Sequence, residues 1–250
     1  PTPLLKAGIY GAQSTDALKA DWTDGRPVAA LVFYRALMQA GNLAAVDGLV
    51  AALGDAGLNV MPLYVSSLKD PVAAATLATL FADASPDVIL NATGFAVSTP
   101  GADTIETPLS AIGVPVLQVV FSGSDMESWR DGQHGLSARD IAMNVALPEV
   151  DGNVLSRAVS FKGLDHRDDV CEADIVTYPP VPDRIDFVAR LAAKWAGLRN
   201  KNPADRKVAI ILANYPNRDG RIGNGVGLDT PAGALAALEA MQGAGYQTGD

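Results

Sequence analysis

The densest group of residues able to do chemistry lies between Asn214 and Pro231 and reads Asn214-Tyr-Pro-Asn-Arg-Asp-Gly-Arg-Ile-Gly-Asn-Gly-Val-Gly-Leu-Asp229-Thr-Pro. Its four glycines, at 220, 223, 225 and 227, permit positive backbone dihedrals and close approach of a ligand. Thr230-Pro231 caps and opens a following helix, whose N-terminus favours an anionic group. Arg218 and Arg221 supply planar donors suited to carboxylates. The candidate ligand-binding residues are therefore Asn214, Asn217, Arg218, Arg221, Gly223, Asn224, Gly225, Asp229 and Thr230. No Gly-Lys-Ser/Thr ends the loop, so it is not a nucleotide phosphate loop. The G-x-G-x-G spacing of Gly223, Gly225 and Gly227 does not fit a dinucleotide fingerprint. A glycine loop that only permits tight packing is the competing reading.

Other catalytic sets are absent. The two histidines, His134 and His166, form no H-E-x-x-H pair, so no metal site is assigned. The run Asp165 to Glu172 holds several potential ligands but reads as a solvated acidic connector. No G-x-S-x-G elbow is present. Trp22, Trp129 and Trp195 read as packing residues. No catalytic residue is assigned.

The elements that must position such a loop follow an α/β pattern. Val28–Tyr34, Leu58–Val65, Asp87–Asn91 and Val114–Phe121 are short apolar runs, predicted as buried strands. Between them, Asn42–Ala56 and Pro71–Ala84 have helical spacing, with Gly57 as a stop and Pro71 at a first turn. Strands without polar alternation, separated by helices, imply a doubly wound parallel sheet of flavodoxin/Rossmann type, covered on both faces. Ser137–Met143 predicts a short capped helix and Val154–Phe161 an edge strand. Asp183–Arg199 is amphipathic through Ile185, Val188, Leu191, Ala192 and Trp195. Lys207–Ala213 predicts the strand that begins a second α/β unit. The expected organisation is an open α/β domain over 1–161, a connector over 162–181, and a second domain over 182–250 that is cut short. In such sheets ligands bind beyond the carboxyl ends of the strands. That selects the loops Arg35–Asn42, Ser66–Asp70, Asn91–Thr99, Ser122–Asp125 and Asn214–Asp229.

Composition excludes several classes. With 48% apolar and 19% charged residues, a filled core is expected. A net charge of −9 repels phosphate backbones, so nucleic acid is not an expected partner. The single cysteine, Cys171, fits a reducing, cytoplasmic setting. No apolar run approaches the ~20 residues of a membrane helix, and no signal peptide is expected.

Two long segments carry a family resemblance. Arg26–Asp70 holds Val-Phe-Tyr-Arg-Ala-Leu and Leu-Tyr-Val-Ser-Ser-Leu-Lys-Asp, and Ile211–Ala232 holds the glycine loop. Asn91-Ala-Thr-Gly-Phe-Ala, Pro115-Val-Leu-Gln-Val-Val and Ala142 to Gly152 lie in order between them. Together they resemble the large-subunit family of cobaltochelatases, related to the H subunits of magnesium chelatase. The resemblance implies a fragment of a tetrapyrrole-binding subunit acting on hydrogenobyrinic acid a,c-diamide in cobalamin biosynthesis. Cobalt(II) is then a substrate, and two AAA+-type partner subunits hydrolyse ATP. It further implies that proton- and metal-handling residues lie elsewhere in the subunit, that no cofactor is bound to this region, and that the fragment alone is inactive. The alternatives are a two-lobed α/β small-molecule binding protein, a magnesium chelatase H subunit acting on protoporphyrin, and a scaffold for the motor subunits.

Overall fold

The computed structural model describes residues 4–99, 106–212, 223–225 and 227–249. Contacts divide the chain into two units, Pro1–Ala196 and Gly197–Asp250. The first contains, in order, β1 (Ala7–Ile9), α1 (Thr15–Lys19), β2 (Val28–Tyr34), α2 (Arg35–Gln39), α3 (Ala44–Asp55), β3 (Asn59–Val65), α4 (Pro71–Ala84), β4 (Val88–Asn91) and β5 (Val116–Ser122). Then follow α5 (Met126–Asp131), α6 (Ala138–Asp140), a π-helical stretch Ile141–Ala146, α7 (Leu147–Val150), β6 (Val154–Phe161), β7 (Gly163–Asp168) and β8 (Ala173–Thr177). The helix α8 (Pro182–Arg199) belongs to this unit up to Ala196, and α9 (Thr230–Gly243) lies in the second.

Among the described residues the main sheet has the order β1-β3-β2-β4-β5-β6. β2 to β6 run parallel; β1 adds antiparallel to the edge of β3. Counting the parallel strands alone, the order is 2-1-3-4-5, the flavodoxin-like doubly wound arrangement. The apolar run of β2 is what this requires, because alternate residues serve opposite faces. Ala29, Leu31 and Phe33 pack with Val46, Leu49 and Leu53 of α3. Ala30 and Val32 pack with Ala73, Leu77 and Phe81 of α4. Local signals agree with the helix limits. The Asp70 carboxylate accepts from the N–H groups of Val72 (2.9 Å) and Ala73 (3.3 Å), which caps α4 ahead of Pro71. A 3.1 Å ion pair with Lys6, reinforced by these amides, holds that carboxyl below its usual range. Gly57, at φ 86°, turns the chain after α3.

Three expectations are corrected. Residues 162–181 are not a plain connector: β7 and β8 pair antiparallel as an exposed hairpin. The helix expected to open a second domain belongs to the first. Ile185, Val188, Ala189, Ala192 and Ala196 of α8 are buried in the same cluster as α3 and the sheet face. An apolar stripe that wide must find a surface, and the face beside α3 provides it. Finally, 207–212 forms no strand. Val208 (55% exposed) and Ile211 (90% exposed) remain open, because an apolar run becomes a strand only when a neighbour accepts its ladder. The helix expected over Ser137–Met143 is present but longer, continuing through the π stretch into α7.

Placing a charge at Val188 distinguishes the two positions of α8. Val188→Asp should cost on the order of 3–5 kcal/mol, as an uncompensated buried charge does, and abolish the main cooperative urea transition. If α8 instead served only a separate second domain, that transition would persist unchanged.

Candidate functional site

A cavity opens where the doubly wound rule places a ligand, at the point where the strand order reverses between β2 and β4. It measures about 260 Å³ and is lined by Tyr34, Ser67, Leu68, Lys69 and Gly94 to Val97. They come from the last residue of β2 and from the loops after β3 and β4, two of the loops selected above. Tyr34 ends β2, and its hydroxyl donates to the Gly94 carbonyl (2.9 Å) and accepts from the Gly94 N–H (3.2 Å). Burial raises the Tyr34 phenol above its ordinary value, so it stays a neutral donor at neutral pH.

A buried amide network sets the loop after β4. The Gln118 side-chain oxygen accepts from Asn91 (3.0 Å) and Asn153 (3.1 Å), and its nitrogen donates to the Thr93 carbonyl (2.7 Å). Thr93 returns two bonds to Asn91, from its N–H (3.1 Å) and its hydroxyl (2.7 Å). Further along, Asp151 accepts from the N–H groups of Val97 (2.6 Å) and Ser98 (2.9 Å). Between these clamps Phe95 stands at φ 66° and is 50% exposed. A bulky side chain in that region carries strain of order 1–3 kcal/mol, which persists only where the surroundings over-determine it. The Phe95 N–H donates to the Met143 carbonyl (2.7 Å) in the π-helical stretch. A Cβ on Gly94 would stand 2.7 Å from the Asn144 side-chain oxygen and 3.1 Å from the Met143 carbonyl, so any larger residue would have to displace Asn144.

The same stretch is anchored at its other end by Asp140, which is 4% exposed. Its two oxygens accept from Ser122 Oγ (2.8 Å), Ser137 Oγ (3.1 Å), the Gly123 N–H (3.1 Å) and the Asn144 amide (3.0 Å). This joins the carboxyl end of β5 to the start of the helix that Ser137 caps.

The glycine loop divides. Asn214, Asn217, Arg218 and Arg221 lie outside the described residues. Of the rest, Gly223 (φ 71°) has the positive dihedral expected, and Gly225 forms a bridge with Leu228. Asp229, not Thr230, is the N-cap of α9: its carboxylate accepts from the Ala232 N–H (3.1 Å), and Thr230 is the first helical residue. Asn224 lies between Gly223 and Gly225 in this turn. Asp168, in the acidic run, caps the hairpin turn by accepting from Val170 and Cys171 N–H groups. Among the described residues no group of three or more His, Cys, Asp or Glu could hold a metal ion. Nor is any helix among them long and apolar enough to cross a membrane. The residues that sequence reasoning passed over are Tyr34, Phe95, Gln118 and Asp140. Gln118 carried a signal, being a lone amide inside the apolar run of β5.

Comparison with known proteins gives a consistent result. Residues 1–250 match the family described as CobN/Magnesium Chelatase. The aerobic cobaltochelatase subunit CobN of Sinorhizobium sp is 50% identical across 99% of the chain and 20% of its own length. The Pseudomonas aeruginosa protein of the same name is 47% identical across 98% of the chain and 20% of its own length. The solved catalytic subunit of cobaltochelatase from Mycobacterium tuberculosis superposes on the whole chain with a TM-score of 0.80 at 33% identity, again covering 20% of that protein. The chain thus spans about a fifth of the length of the relatives it matches.

Replacing Gln118 by Leu leaves the Asn91 and Asn153 amides and the Thr93 carbonyl without their partner. Stability in urea should fall by about 3 kcal/mol, and amide exchange at Gly94 to Ser98 should accelerate. A change below about 0.5 kcal/mol, with exchange unaltered, would show that the network does not hold the loop.

Proposed function

Because the chain belongs to the CobN/magnesium chelatase family, we propose that it forms part of the tetrapyrrole-binding large subunit of an ATP-dependent cobaltochelatase. In this reading the subunit inserts cobalt(II) into hydrogenobyrinic acid a,c-diamide, and two AAA+-type partners hydrolyse the ATP. The observation that carries it is 50% identity to a cobaltochelatase subunit, sustained across 99% of the chain. The family also includes magnesium chelatases. The long identity to proteins named for cobalt favours the cobalt branch.

Metal insertion requires that the ring be held while it distorts, that its nitrogens lose protons, and that the hydrated ion shed water. The described residues suit the first task. Tyr34 is a neutral donor, Phe95 presents an exposed ring, and the loop bearing it is fixed from both ends. In this reading the proton- and metal-transfer groups belong to other parts of the subunit. The loop 214–229 contributes to ligand or inter-domain contact in the intact subunit, and the guanidinium chemistry of Arg218 and Arg221 suits carboxylates on the macrocycle rim. The protein acts in the cytoplasm, where the motor subunits and ATP are found.

Two measurements test this. The 250-residue chain, supplied with cobalt(II), the diamide, ATP and both motor subunits, should insert no cobalt, and turnover by the chain alone would overturn the placement of the chemistry. In the intact subunit, Arg221→Ala should weaken tetrapyrrole binding by about tenfold while the melting temperature barely moves. Unchanged binding with lost stability would make the loop a structural joint.

A further inference from the structure

A second cavity, of about 350 Å³, lies at the carboxyl end of β5, beside the switch-point cleft. Arg139 and Lys162 line it from different elements, together with Ser124, Ser137, Asp140 and Tyr178. Arg139 sits in α6, directly after the Ser137 cap; Lys162 follows β6, with its N–H donated to the Ser122 (3.0 Å) and Ser124 (3.1 Å) carbonyls. The backbone of each cation is therefore fixed, while both side chains are exposed. Among the described residues neither enters an ion pair. Both Asp140 oxygens accept from the four donors described above and from neither cation, and the two positive charges lining the cavity outnumber its one carboxylate. Tyr178 stands within the field of both groups. Burial raises its phenol, the Asp140 charge raises it further, and the Arg139 charge pulls it down.

We propose that Arg139 and Lys162 form a carboxylate-binding subsite, completed by the hydroxyls of Ser124 and Tyr178. A guanidinium and an ammonium lining one small polar cavity, with hydroxyls beside them, suit a carboxylate in charge and donor chemistry. The adjoining surface narrows the ligand class. Met143 lines this cavity, and its carbonyl holds the N–H of Phe95, whose strained backbone presents an exposed ring to the next cavity. A flat conjugated ligand with carboxylates at its edge would rest on the aromatic face and place one carboxylate between the two cations. This deepens the reading of the chain as part of a tetrapyrrole-binding subunit and rests on it for the identity of the ring. The carboxylate chemistry itself does not depend on that reading, and a small free carboxylate would satisfy it equally.

The test uses the full 250-residue chain and two probes. Coproporphyrin, a porphyrin with four carboxylates, is titrated by quenching of tryptophan fluorescence. Citrate is titrated by amide chemical shifts at Gly123 and Ser124. Removing both cations, Arg139→Ala with Lys162→Ala, should weaken coproporphyrin binding at least about tenfold. The exchange Arg139→Lys with Lys162→Arg should retain most of the affinity. Thermal unfolding should stay within about a degree or two of wild type, since both side chains are exposed and unpaired. If coproporphyrin binding is indifferent to the double alanine variant while the citrate shifts vanish, the carboxylate subsite stands and its ligand is a small free acid, not the macrocycle. If neither probe responds to loss of both cations, the proposal is overturned, whereas cobalt insertion by the intact subunit would be untouched by that result.

Discussion

The loop that follows β4 hangs on one buried amide. Gln118 sits in the first half of β5, 1% exposed, where an apolar residue would be the ordinary choice. An unpaired amide there would be costly, so each of its groups must find a partner. It finds them in Asn91 at the end of β4, Asn153 before β6 and the Thr93 carbonyl. The carboxyl end of β4, the first half of β5 and the lead into β6 are thereby tied together. Specificity of this kind comes from the penalty for alternatives more than from the strength of any one bond.

The strand order supplies the cleft and the amide network shapes it. Reversal of the winding direction between β2 and β4 separates the loops above them. Loops of polar residues alone would leave such a crevice soft. Here Tyr34 bonds across to Gly94, Asp151 holds the N–H groups of Val97 and Ser98, and Met143 holds that of Phe95. A residue as large as phenylalanine keeps its positive dihedral only because the chain on either side has no freedom to relax.

Much of this was legible in the residues. The strand Val28–Tyr34 and the helix Pro71–Ala84 coincide with their predicted limits, because an unbroken apolar run and an Asp-Pro start are strong local signals. The three-residue β1 was not legible; its pairing with β3 is a tertiary event. The β7–β8 hairpin hid inside a charged sequence whose exposure gives no alternating pattern. The run 207–212 shows the opposite failure, since apolar character alone names no partner strand. At the site, the glycines and arginines of 214–229 drew the eye, whereas Tyr34 and Asp140 act through neighbours far apart in sequence, such as Gly94 and Ser122.

The four donors gathered on Asp140 also bear on how this region can change over generations. Ser122, Ser137, Asn144 and the Gly123 amide are each satisfied by the same carboxylate. Loss of the acid would remove a partner from all of them at once, while loss of any one donor leaves a buried carboxylate with less compensation for its charge. Single substitutions here are therefore poor intermediates, and replacements become tolerable only in concert. Arg139, one residue away but outside the network, bears no such linkage. The edge thus combines a frozen frame with a neighbouring position open to drift, an arrangement through which related proteins could alter what they hold without rebuilding what holds it.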